Sequence, residues 1–207
     1  MKKLLTLLIL VLTNLFCFTQ NYNAEKFHSA LMKKQTGAMV VYNGQHHSFT
    51  IEIFADSIKP SDKPNFLVVD NKILQASIIP FQTKLDFEKL SEETQKKNLL
   101  GYMDYEMNYI KNQLKTKELN EKYEFITLNN KMFLFWTYDM PKPSRTVINQ
   151  CYLITICFDQ MLILNSPVDK DKTLKDITNF LSNIGKTLKL NSHTIDLEKL
   201  YNELNIK

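Results

Sequence analysis

The chain has 207 residues, 26 basic and 22 acidic side chains, a formal net charge of +4, 44% hydrophobic residues and four glycines. A balance this close to neutral argues against a nucleic-acid or anionic-membrane surface. Gly37, Gly44, Gly101 and Gly185 stand far apart, which argues against a phosphate-cradling loop, because backbone amides reach an anion through clustered glycines.

The chain opens on a targeting segment. Lys2 and Lys3 precede an uncharged run from Leu4 to Phe18, the pattern of a secretory signal over residues 1–20. The run is short for a membrane span. Cys17 offers a lipid-anchor reading, but Phe16 stands where a small residue normally precedes a lipidated Cys. Plain export, to the periplasm or the medium, is the expectation. About 187 residues then remain, enough for one packed domain over residues 21–207. Without Lys2 and Lys3 the excess of basic over acidic residues falls from four to two.

Ala24 to Lys34 reads as a short helix, with Phe27, Ala30 and Leu31 on one side. Ala38 to Tyr42 and His47 to Phe54 read as a hairpin around Asn43-Gly44. In its second strand Phe49, Ile51 and Ile53 alternate with Ser48, Thr50 and Glu52, which predicts one wet face. Asp56 to Asn65 holds Pro60 and Pro64 and reads as a loop. Phe66 to Val69 and Ile73 to Ile79 form a second hairpin.

A long helix follows. Ser91 is a good N-cap, and Glu92 and Glu93 place acid in the first turn. Leu99, Met103, Met107, Ile110 and Leu114 fall within about 40° of one line at 100° per residue.

Next come three strands without a polar face. Lys131 to Tyr138 shows Phe133, Phe135 and Thr137 on one side and Met132, Leu134, Trp136 and Tyr138 on the other. Asn149 to Phe158 shows Cys151, Leu153, Thr155 and Cys157 against Tyr152, Ile154, Ile156 and Phe158. Met161 to Leu164 continues the pattern. Strands apolar on both faces must be covered on both. Asn129-Asn130 and Asp159-Gln160 are polar two-residue links suited to tight hairpins. Leu174, Ile177, Leu181, Ile184 and Leu188 then mark one helical stripe, capped by Asp171 or Thr173, with Lys186 and Lys189 in its last turn. A final short helix carries Leu197, Leu200, Tyr201 and Leu204. The fold class expected is α+β, an antiparallel sheet of six to eight strands with helices packed on both faces.

The order long helix, aromatic hairpin, two more strands, terminal helix carries a resemblance. With Phe135-Trp-Thr-Tyr-Asp-Met-Pro141, Cys151-Tyr-Leu-Ile-Thr155 and Asp159-Gln-Met-Leu-Ile-Leu164, residues 85–190 resemble the PsbP-like superfamily. That group includes extrinsic photosystem proteins, bacterial envelope proteins and a Ran-binding nuclear import factor. The resemblance implies an α/β/α sandwich and a role in binding or assembly. It transfers no site residue.

Chemistry-bearing residues are sparse. Cys151 and Cys157 lie six apart on one strand, about 20 Å, beyond the roughly 7 Å that a disulfide spans. They read as small buried apolar groups. His46 and His47 are adjacent, with no third ligand at a metal-binding spacing, and read as a solvated turn. Trp136 reads as core. No motif calls for a cofactor. Tyr102, Tyr105 and Tyr109 lie roughly 100–160° from the Leu99–Leu114 stripe. Either the N- or C-terminal helix packs there, or the tyrosines dock a protein partner, since Tyr is enriched in binding hot spots. Asn98 and Gln113 would form its rim. The functional expectation is an exported, non-catalytic binding or assembly protein of the cell envelope. Two alternatives stand beside it. One is a small-ligand or lipid carrier whose sheet–helix pocket uses Met103, Met107, Met132 and Met161. The other is a hydrolase with a cryptic site.

Overall fold

A computed structural model describes residues 22–61, 65–141 and 146–205. The signal segment and Cys17 lie outside the described residues.

The protein is α+β, with two antiparallel sheets rather than the one expected. The larger has seven strands. In chain order they are β4 (Ile58–Pro60), β5 (Phe66–Val69), β6 (Lys72–Pro80), β7 (Glu121–Leu128), β8 (Lys131–Asp139), β9 (Val147–Cys157) and β10 (Gln160–Asp169). Their order in the sheet is β4-β5-β6-β10-β9-β8-β7. The smaller sheet has four strands, ordered as β1 (His28–Lys33), β2 (Ala38–Asn43), β3 (Ser48–Ile53) and β11 (Lys189–Asn191). The helices are α1 (Glu92–Gln113), α2 (Leu174–Gly185) and α3 (Leu197–Asn205), with a 3-10 turn at Phe87–Lys89.

The greasy ribbon behaves as its pattern requires. Phe133 and Phe135 of β8 join Cys151, Leu153 and Cys157 of β9 in one core. That core also holds Ile177, Leu181 and Ile184 of α2 and Phe49, Ile51 and Ile53 of β3. Leu134, Trp136 and Tyr138 join Ile154 and Ile156 in a second core with Leu99, Met103, Met107 and Ile110 of α1. The alternating side chains of one strand thus feed two separate cores. A third, smaller cluster sets Met32, Met39 and Val41 of the small sheet against Leu197, Leu200 and Leu204 of α3.

Local signals set the element ends. The Ser91 Oγ accepts a hydrogen bond from the Thr94 N–H at 3.2 Å and starts α1, as an N-cap should. Thr173 and Asp176 form a reciprocal capping box on α2. Asn129 and Asn130 both adopt positive φ, 48° and 61°, in the β7–β8 turn.

Five expectations need correction. Ala24 to Lys34 is no helix: residues 22–27 are irregular and His28–Lys33 is strand β1, paired from His28↔Asn43 to Lys33↔Ala38. Pairing with β2 overrides the local pattern, and Leu31, read as an inward residue, is 46% exposed. Strand β3 has no wet face, because it lies between β2 and β11 and its Ser48 and Thr50 are buried. The hydroxyl of Ser48 donates to the His193 carbonyl at 2.7 Å, which offsets its desolvation. The helix of the Leu174 stripe stops at Gly185, and Lys189 belongs to β11, paired with Thr50. The β9–β10 turn is Phe158-Asp159, one residue earlier than expected, since Gln160 already pairs with Cys157. Part of the Asp56–Asn65 loop is the short edge strand β4.

Two glycines give opposite expectations. Gly37 has φ +88°, and a Cβ there would fall 1.9 Å from the Ile53 carbonyl oxygen. Gly37→Ala is expected to destabilise the protein by ~1–3 kcal/mol in urea unfolding. Gly101 sits in α1 with no atom within 4 Å of an added Cβ. Gly101→Ala is expected to stabilise it by up to about 1 kcal/mol.

Candidate functional site

The tyrosine row of α1 divides in the folded protein. Tyr102 is half-buried and meets Trp136 edge-on, ring centroids 6.2 Å apart. Burial and the neighbouring Glu106 carboxyl raise its pKa. Burial also raises Glu106, against the lowering effect of its hydrogen bond to Tyr102. Tyr105 and Tyr109 are 69% and 54% exposed. The apolar residues of α3 pack against the small sheet and do not cap these rings. Trp136 is fully buried and stacks on Tyr152 at 4.3 Å, as a core residue does.

A second constellation gathers where residues 22–27, leading into β1, bridge the β2–β3 turn of the small sheet and the β9–β10 turn of the large one. Its centre is Glu25, whose carboxylate accepts the His47 N–H at 3.0 Å, the His46 N–H, and pairs with the His47 Nδ1 at 2.7 Å. Burial pushes the Glu25 pKa up, but these hydrogen bonds and the His47 charge outweigh it, and the net shift is downward. Asp159 is the second anchor. It is buried, and its carboxylate accepts the Tyr22 hydroxyl at 2.8 Å, the Glu25 N–H and the Gln160 side-chain amide at 3.0 Å.

An aromatic stack lines the same place. The His47 ring lies 4.3 Å from Phe158, and Phe158 lies 5.1 Å from Phe87. The Lys131 ammonium sits 4.7 Å above the Phe87 ring, and burial lowers its pKa. Phe158 holds φ at +57°. A bulky residue in the left-handed region costs ~1–3 kcal/mol and persists only where its surroundings fix it. Tyr22, Glu25, His46, His47, Phe87 and Phe158 border an open cleft of about 1040 Å³.

Sequence reasoning read His46-His47 as a solvated turn. His46 is exposed, whereas His47 is tied to Glu25. Glu25 was hidden inside a segment expected to be helical. No signal near it forecasts a partner some 20 residues on. Among the described residues, no group of three His, Cys, Asp or Glu stands close enough to hold a metal. Both carboxylates accept hydrogen bonds from the chain's own N–H and O–H groups. The thiols are no nearer to chemistry. Burial raises Cys151 to about 11 and Cys157 to about 12, both are free, and both are buried. A thiol held in that range supplies little thiolate.

Compared with models of known protein families the chain gives no match, and no curated protein matches it significantly.

The Glu25 shift has a sign that can be measured. A carboxyl whose folded pKa lies below its unfolded one stabilises the fold above the unfolded value, and that stability is lost as pH falls through the folded value. Wild type is therefore expected to lose more stability than Glu25→Gln on acidification from about pH 5 to pH 3, read by urea midpoints. The thiols give a second check. Neither Cys151 nor Cys157 is expected to react with iodoacetamide at pH 8 in the folded protein, and both should react in denaturant.

Proposed function

We propose that the protein is an exported, non-catalytic binding or assembly protein of the cell envelope, and that Tyr105 and Tyr109 form the centre of its docking surface for a protein partner. The observation that carries the reading is the exposure of these two rings on a helix whose opposite side is committed to the core. Tyr supplies a large, rigid contact area with a hydrogen-bonding tip, so two exposed rings one helical turn apart suit an interface anchor. Tyr102, held beneath them by Trp136 and Glu106, gives the pair a fixed base.

Other features support the same reading. The buried thiols with raised pKa speak against a cysteine nucleophile. The engaged carboxylates of Glu25 and Asp159 speak against a general base. Met103 and Met107 fill the space between α1 and Leu134, Trp136 and Ile154, where the carrier alternative needs a hollow. Among the described residues no helix is long and apolar enough to cross a membrane. The larger sheet lies, on this reading, between α1 on one face and α2 with the small sheet on the other, and the split of β8 side chains between two cores supports that. The run α1, β7, β8, β9, β10, α2 also supports the likeness to PsbP-like domains, which we propose as the kinship of residues 85–190.

The test is capture from envelope extract, comparing wild type with Tyr105→Ala/Tyr109→Ala. A specific partner should be recovered at least ~10-fold less by the double variant, with an unchanged melting temperature because neither ring is buried. Equal recovery of every partner contradicts the proposal.

A further inference from the structure

Residues 22–27 make no regular secondary structure, yet Tyr22, Glu25 and Phe27 are each held in place. Three kinds of contact hold them. The first reads main chain. The Glu25 N–H donates to Asp159 and the Glu25 carbonyl accepts from the Gln160 side-chain amide at 2.9 Å. An acceptor and a donor on adjacent residues thus replace the C=O and N–H that a neighbouring strand would offer, as in strand-addition recognition. The second reads a carboxylate. The His46 and His47 N–H groups and the His47 ring converge on the Glu25 side chain. The third reads an aromatic ring. Phe27, two residues on, packs against Phe49 with centroids 5.4 Å apart. A further point, the Tyr22 hydroxyl on Asp159, fixes the incoming end.

The surroundings fit this role. The segment separates two hollows, of about 1040 and 960 Å³, and Tyr22 to Lys26 line both. A chain longer than the segment could enter from either side. The main-chain receptor sits on the Phe158-Asp159 turn, where a bulky residue is held at positive φ, and such outliers concentrate at ligand clamps.

We propose that this groove is a peptide-recognition site, filled in cis by residues 22–27, and that it takes in trans an extended partner segment with a glutamate two residues before an aromatic. The site is separate from the tyrosine surface of α1, so either proposal can fail while the other stands. In the resting protein the tethered segment competes with any free peptide through its high effective concentration. Weakening the cis contact therefore raises the apparent affinity for a peptide in trans.

The experiment titrates a fluorescein-labelled octapeptide, Asn-Tyr-Asn-Ala-Glu-Lys-Phe-His, with full-length wild type and with the Glu25→Gln chain, read by anisotropy. The peptide should bind Glu25→Gln at least ~10-fold tighter than wild type. Replacing its Glu by Gln, or its Phe by Ala, should each weaken that binding ~10-fold or more. Hydrogen exchange should show the His46 and His47 amides released in Glu25→Gln while the β2–β3 ladder stays protected. Phe27→Ala is a second opening variant, should Glu25→Gln not fold. Equal affinity for both chains, no binding to either opened chain, or indifference to the peptide's Glu overturns the proposal. So does a concentration-dependent dimer of the wild type in sedimentation, which would put the same segment of a second copy in the groove.

Discussion

The rest of the structure depends on the two-sided burial of β8. A strand that is apolar on one face can lie at the surface of a sheet, with water on the other. A strand that carries Phe133 and Phe135 on one face and Leu134, Trp136 and Tyr138 on the other cannot, because either face left in water forfeits the transfer free energy of several large side chains. Covering both faces takes more than one partner. Leu134, Trp136 and Tyr138 share one core with residues of α1. Phe133 and Phe135 share another with residues of α2 and with Phe49, Ile51 and Ile53 of the small sheet.

The same division explains where polar contacts fall. The two clusters that β8 joins are built from hydrophobic side chains. The polar constellation forms instead where residues 22–27, leading into β1, bridge the β2–β3 turn of the small sheet and the β9–β10 turn of the large one. There residues 22–27 run without a neighbouring strand, so their backbone groups need partners from side chains. Asp159 and Gln160 supply them to Glu25, while His46 and His47 hold its carboxylate. A segment held by a handful of side-chain contacts opens at lower free energy than a strand inside a ladder. That ease of release is what separates a tethered ligand from a structural strand.

Sequence pattern carried the large central elements. The Leu99–Ile110 stripe, the Ser91 cap and the Asn129-Asn130 turn are all local signals, with periods or conformations legible within a few residues. The small sheet was not legible in that way. Its strand β11 has three residues, too few for any period, and its partner β3 lies about 140 residues earlier, so its existence is a tertiary event. His28 to Lys33 has no β-branched residue, and its apolar spacing fits a helix as well as a strand until pairing with β2 decides. Ser48 and Thr50 misled for a different reason: alternation reports polarity, and a polar residue can be buried wherever a partner such as the His193 carbonyl waits. Of the candidate site, the position of the tyrosines off the α1 core stripe could be read from helical geometry alone. The Glu25–His47 pair and the left-handed Phe158 could not, since both arise from contacts between distant segments.

The central claim is that each face of β8 is a separately buried surface, and that the fold needs both. Equilibrium urea unfolding of Phe133→Ala beside Leu134→Ala tests it most directly, because adjacent residues on one strand report on opposite faces. Both side chains are fully buried, and both variants are predicted to lose ~2–5 kcal/mol in a single cooperative transition. If either variant unfolds within about 0.5 kcal/mol of wild type, that face of the strand is not covered, and the two-core account is wrong.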